Sequence, residues 1–231
     1  MIEGGGATHP LRVLCTASLS RCGEDMREVD VTGIILAGGK SRRMGEDKRF
    51  LTVGSATLLD RCRTVMTAVF ADVLLIIAQD SPPLDGQGCQ VHRDLVPNCG
   101  SLGGVYTGLS LATTPRVFAV ACDMPFLSEA MIRFFVNLDA TADVVMARLP
   151  TGLQPLHAVY GKRTLPIFER MIRTGRLRIQ DIVSESSLKV TIAEPSEWAA
   201  IDPLSQSFQN VNTPEDLNAA RAEASRLPPA L

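Results

Sequence analysis

The apolar run Thr32-Gly33-Ile34-Ile35-Leu36-Ala37 stops at Gly38-Gly39, and the cations Lys40, Arg42, Arg43 and Lys48 follow at once. An unbroken aliphatic and β-branched run reads as a strand buried on both faces, which points to a parallel sheet covered by helices. At the glycines the backbone can approach a ligand without a Cβ in the way. Exposed N–H groups and fixed positive charge beyond a strand end suit a polyphosphate. The two commoner phosphate loops do not fit. In a Walker A loop ending at Gly39-Lys40-Ser41 the first glycine would fall on Ile34, and the dinucleotide fingerprint fails because Gly38 and Gly39 are adjacent.

The pattern recurs along the chain. Val73–Ala78 and Val117–Cys122 read as further buried strands, and Cys89–His92 as a short one. Helices are expected over Ala56–Phe70, Gly100–Ala112, from Ser128, over Lys162–Arg173 with Lys162 solvated, and over Thr213–Arg226 with Thr213 as cap and Pro214 at its first position. Asp143–Ala147 and Leu156–Tyr160 complete the strands. Alternation of this kind predicts an α/β, Rossmann-like three-layer sandwich, with a mainly parallel sheet and helices on both faces. Strand-end loops would then meet along one edge. Residues 1–30 read as a poorly structured extension without signal-peptide character, and 31–231 as one domain.

Composition narrows the function. The 231 residues carry a formal net charge of −2, so no global basic field points to nucleic acid. No apolar run is long enough to span a bilayer, and a cytoplasmic location is expected. Six cysteines and three histidines show neither Cys-x-x-Cys nor zinc spacing, so reduced, part-buried thiols are expected. His157, inside an apolar stretch, reads as structural.

Asp123 cuts off an apolar strand and precedes Met124-Pro125, a position from which a carboxylate in an α/β sheet could hold Mg²⁺ or simply cap a turn. Lys48 closes the basic loop and could pair with triphosphate oxygens. Asp94 follows a short strand, as a nucleotide contact or an Asx turn. Gly100 and its neighbours Leu102, Gly103 and Gly104 either admit a base or ribose or allow tight helix packing. No Ser/His/Asp set is visible, and none is needed where positioning and charge stabilisation dominate, as in nucleotidyl transfer.

The loop Leu36-Ala37-Gly38-Gly39-Lys40-Ser41-Arg42-Arg43-Met44-Gly45-Glu46-Asp47-Lys48 resembles the signature of a nucleotidyltransferase superfamily. Gly100–Gly104, Cys122–Phe126, Gln154–Tyr160 and Asn210–Leu217 extend the likeness from about Val31 to about Ala224, and within the superfamily it is closest to the molybdenum cofactor guanylyltransferases. That resemblance implies GMP transfer from GTP to molybdopterin or its molybdenum-loaded form, with pyrophosphate released. It implies Mg²⁺ as cofactor, and other cofactor-biosynthesis proteins and molybdoenzyme apoproteins as partners. It places nucleotide contacts on Leu36, Ala37, Gly38, Gly39, Lys48, Asp94, Gly100 and Asp123. Arg43, Lys48 and Asp123 become the catalytic set, Asp123 and Asn212 the metal ligands, and Asn210 a contact to the acceptor. The loop after Asp94 is one residue short against the family, so that match depends on where the gap falls. A family asparagine in the second strand is replaced at Ile77 or Ala78, and that contact is not carried over. The alternatives are a related enzyme using CTP with molybdopterin or an NTP with a sugar or alditol phosphate, and a non-catalytic nucleotide-binding subunit.

Overall fold

The computed structural model describes residues 27–38 and 47–226. The first strand, β1 (Val31–Leu36), is followed by a 3-10 turn at Lys48–Phe50, the two-residue strands β2 (Thr52–Val53) and β3 (Ala56–Thr57), and helix α1 (Leu58–Val69). Next come β4 (Val73–Ile77), β5 (Gln90–Arg93), α2 (Gly100–Leu111), β6 (Arg116–Ala121) and α3 (Glu129–Leu138). The second half holds β7 (Val144–Leu149), β8 (Gly152–Gly161), α4 (Leu165–Arg173), β9 (Val190–Ala193), α5 (Pro195–Trp198) and α6 (Pro214–Ala224).

Among the described residues, seven strands form one sheet in the order β5-β4-β1-β6-β8-β7-β9. It is parallel except for β8, which runs antiparallel to both neighbours. Alternate residues of β1 feed two cores, as the two-residue repeat of a strand requires. Val31 and Ile35 meet Leu59, Cys62 and Met66 of α1, together with Phe135 of α3. Ile34 and Leu36 meet Leu102, Val105 and Leu109 of α2, together with Phe168 of α4. The three-layer α/β sandwich expected from the sequence is therefore present. A smaller cluster, Val53, Leu58, Phe126, Val211 and Leu217, seats α6 against the β2–β3 hairpin.

Glycines set the helix–sheet distance. A Cβ on Gly108 would lie 2.9 and 3.0 Å from Ile34 Cγ1 and Cγ2, and one on Gly104 would lie 2.8 Å from Leu36 Cδ2. Helix α2 therefore packs directly on β1, so for Gly104 the tight-packing reading is the one the geometry carries.

Two sequence expectations need correction. Lys162 is not simply solvated: its ammonium donates to the carbonyls of Leu109 and, at 2.7 Å, Ala112, closing the carboxyl end of α2. Helix α4 accordingly begins at Leu165, after a 3-10 turn at Lys162–Thr164. The strand expected over Leu156–Tyr160 is the inner half of a ten-residue strand with a bulge. Val145 pairs with Val159 but Ala147 with Gln154, and His157 in that bulge has φ 77°.

Glu28 lies on the extension side of the boundary drawn at residue 30. Its N–H donates to Val69 O at 2.7 Å, its carbonyl accepts from Ala71 N at 3.1 Å, and its carboxylate pairs with Arg133 at 3.3 Å. Residues 1–26, which make up most of that expected extension, lie outside the described residues.

Candidate active site

The sheet register gathers the expected site. Leu36 pairs with Ile76 and Ala121, and Ile76 pairs with His92. Gly38, Ala78, Asp94 and Asp123 each follow that row by two residues, so all four lie at the carboxyl edge of the sheet. With neighbouring strands about 4.8 Å apart, three strand spacings separate Asp94 from Asp123 by roughly 14 Å. An extended nucleoside triphosphate can lie along such an edge.

At the β6 end, Val211 ties the loop before α6 to the strand. Val211 is buried and its N–H donates to Asp123 O at 2.9 Å. In an extended segment the neighbours of a buried residue project away from the core. Asn210 Nδ2 donates to Asp123 Oδ1 at 2.8 Å. Lys48 Nζ donates to Asn212 Oδ1 at 2.9 Å and lies 3.6 Å from Asp123 Oδ2. Lys48, Asp123, Asn210 and Asn212, drawn from three distant segments, thus form one connected cluster. The Lys48 and Asp123 side chains each keep 18% of their surface exposed, so a ligand can reach them.

Three further residues support this cluster, and functional reasoning from sequence missed them. Asp47 caps the 3-10 turn that carries Lys48, accepting from Arg49 N at 3.1 Å and from its guanidinium at 2.5, 2.9 and 3.0 Å. The Arg49 guanidinium holds the Asp47 carboxyl below its ordinary range. Asp216 accepts from the backbone N–H groups of Asn212 and Thr213 at 2.8 and 2.9 Å, and those bonds lower its carboxyl pKa. The spacing Thr213-x-x-Asp216 is the only sequence signal for this, a capping-box pattern with Asp at its third position.

At the β5 end, Asp94 forms the Asx turn that was one of its two readings. Its Oδ1 accepts from Val96 N at 3.1 Å and from Thr107 Oγ1 at 2.8 Å. Gly100 opens α2 at φ 58° with no other atom near its missing Cβ, a left-handed position that suits glycine. Leu36 and Ala37 are buried, and Gly38 is exposed beside the Ala78 backbone. Gly39, Lys40, Arg42 and Arg43 lie outside the described residues.

Thiol chemistry has no support here. Cys62, Cys89, Cys99 and Cys122 are unpaired, and burial pushes the Cys122 thiol beside Asp123 up to about 12. Among the described residues, no three His, Cys, Asp or Glu side chains converge as a metal cage. The hard oxygens of Asp123 and Asn212 instead suit Mg²⁺, which takes one or two protein carboxylates and fills its shell from substrate phosphates and water. A cleft of about 220 Å³, walled by Pro125, Gln209, Asn210, Asp216 and Ala219, shares Asn210 with the cluster. None of the described helices is long and apolar enough to cross a membrane.

Residues 33–189 match the model of the MobA-like NTP transferase domain. A molybdenum cofactor guanylyltransferase of Desulfosudis oleivorans is 37% identical, with 83% of this chain and 95% of that protein aligned. A probable molybdenum cofactor guanylyltransferase of Pelotomaculum thermopropionicum is 35% identical over 85% of this chain and 94% of its own. The crystal structure of molybdopterin-guanine dinucleotide biosynthesis protein A from Archaeoglobus fulgidus shares the fold, with TM-score 0.71 and 22% identity over 85% of this chain and all of that one. With its family model spanning both the β1 edge and Asp123, this chain belongs to the MobA-like NTP transferases.

Proposed function

We propose that this protein transfers GMP from GTP to the terminal phosphate of molybdopterin or its molybdenum-loaded form. An acceptor phosphate oxygen attacks the α-phosphorus, the bond to the β-phosphate oxygen breaks, and pyrophosphate leaves. An ionised phosphate is already a nucleophile, so no general base is required, in keeping with a cluster that, among the described residues, joins Lys48, Asp123 and two asparagine amides. The observation that carries this reading is the convergence of Lys48, Asp123, Asn210 and Asn212 at the carboxyl edge of the sheet. Guanine and the molybdenum cofactor come from the names of the relatives.

Each residue then has a role. Lys48, with Arg43, binds the β- and γ-phosphates and offsets the charge that builds on the leaving pyrophosphate. Asp123 and Asn212 would hold Mg²⁺, which when bound neutralises phosphate charge and orients the oxygens for in-line displacement. Asn210 orients Asp123 and faces the acceptor. Leu36, Ala37 and Gly38 shape the floor beneath the nucleotide, with Asp94 and Gly100 toward its base and ribose. Purified protein with Mg²⁺, molybdopterin and each NTP in turn, followed for pyrophosphate, tests the reading. GTP should support turnover at least about tenfold above the others. Preference for CTP, or turnover only with a sugar or alditol phosphate, would replace it with a related transferase.

A further inference from the structure

The two oxygens assigned to the metal converge on one nitrogen. Lys48 Nζ is 2.9 Å from Asn212 Oδ1 and 3.6 Å from Asp123 Oδ2, while Asn210 occupies the other oxygen of Asp123 at 2.8 Å. A cation drawing on both Asp123 Oδ2 and Asn212 Oδ1 needs the space that the ammonium now fills. Its like charge adds to the steric conflict, because two cations cannot share these donors at short range.

We propose that Lys48 keeps the divalent-cation site closed in the nucleotide-free protein, and that the nucleotide's phosphates open it by drawing Lys48 away. The proposal rests on the phosphate-transfer reading above. A triphosphate offers the ammonium more negative charge than one carboxylate and one amide, so the exchange runs toward phosphate once nucleotide arrives. The lysine has the reach, being a flexible stem that carries a compact charge. The turn beneath it is fixed by the Asp47–Arg49 chelate, so the side chain can swing while the backbone stays in place. Metal and nucleotide then bind with positive coupling, and by linkage each strengthens the other. The protein avoids holding a dication on Asp123 without substrate.

The test is Mn²⁺ binding to the nucleotide-free full chain, read by the electron paramagnetic resonance of unbound Mn²⁺. Wild type is compared with Lys48→Met, Lys48→Met/Asp123→Asn and Lys48→Met/Asn212→Leu, each accompanied by a thermal melt. Lys48→Met keeps the stem and removes the charge, and it should bind Mn²⁺ at least about tenfold more tightly than wild type. Both double variants should lose that gain. Equal affinity in wild type and Lys48→Met would overturn the proposal, as would a gain that survives Asp123→Asn. GTP turnover by the same wild-type preparation is a separate readout. If it persists while Lys48→Met gains no Mn²⁺ affinity, the gate fails and the phosphate-transfer reading stands. If turnover is absent, that reading fails whatever Mn²⁺ does.

Discussion

Asn210 donates its side-chain amide to Asp123 Oδ1 at 2.8 Å across 87 residues of sequence. The bond fixes the rotation of the carboxylate and leaves Oδ2 toward Lys48. A hydrogen bond to a charged group contributes about 1.5–3 kcal/mol. If it serves the reacting geometry, Asn210→Ala should lower kcat/KM for GTP roughly ten- to a hundredfold. The melting temperature should move little, because the site is partly exposed and water can replace the amide. Steady-state pyrophosphate release beside a thermal melt checks this, and unchanged kinetics would reduce the bond to loop fastening.

Arg49→Lys should slow turnover although the charge is kept. The chelate on Asp47 uses two guanidinium nitrogens at 2.5–3.0 Å, and an ammonium cannot reproduce that fork. Asp47 is 39% exposed, which limits the stability loss to about 1–2 kcal/mol. The expected signature is a larger effect on KM for GTP than on thermal stability. A variant that melts early with normal KM would make the pair a structural brace only.

Gly108→Ala should destabilise the protein even though alanine is the better helix former. Its Cβ would come nearest to Ile34 Cδ1, the atom valine lacks, and would also meet Cγ1 and Cγ2 at 2.9 and 3.0 Å inside a close-packed interface. Overpacking of this kind costs about 1–3 kcal/mol, against a propensity gain of about 1 kcal/mol. Adding Ile34→Val should recover part of the loss. Urea denaturation of wild type, Gly108→Ala and Gly108→Ala/Ile34→Val measures both effects.

His157 should make stability sensitive to mild acid. It is fully buried among Phe118, Phe135 and Phe208, and neither ring nitrogen reaches a hydrogen-bond partner among the described residues. Burial lowers its pKa from 6.5 to about 4, with its own backbone and Asp202 only partly opposing. Between those values the unfolded chain binds a proton that the folded chain refuses. The contribution is therefore complete above pH 6.5 and is lost as pH falls toward 4, by roughly 3 kcal/mol in all. His157→Asn, which tolerates the left-handed backbone but does not titrate, should flatten the slope between pH 4.5 and 6.5. Parallel slopes in denaturation measured across that range would contradict this account.

Strands buried on both faces were legible because they read as unbroken apolar runs: β1, β4 and β6 stand within a residue of expectation. Thr213 and Pro214 mark the start of α6 for the same local reason. What escaped depends on tertiary partners. The bulge in β8 lies in its antiparallel pairing with β7, where the register slips between Val145 and Ala147, and no period-two pattern reveals it. Strand β9 is only partly buried at the sheet edge, so its apolar signal is weak. At the site, Lys48 and Asp123 stood out locally, whereas Asn212 was picked out only by the family resemblance. Their meeting depends on Val211 docking on the backbone of Asp123, a contact that spacing alone cannot supply. Lys162 looked solvated because the carbonyls it closes belong to α2, about fifty residues earlier.

Guanylyl transfer that depends on Asp123 can be read from the mass of the product. Wild-type protein and Asp123→Asn are incubated with Mg²⁺, GTP and molybdopterin, and the pterin products are analysed by mass spectrometry beside thermal melts of both proteins. Wild type should give a guanine dinucleotide adduct and the variant a yield lower by at least about a hundredfold, with both proteins folded. Equal adduct from folded Asp123→Asn, or no adduct from wild type with any nucleotide, would contradict it.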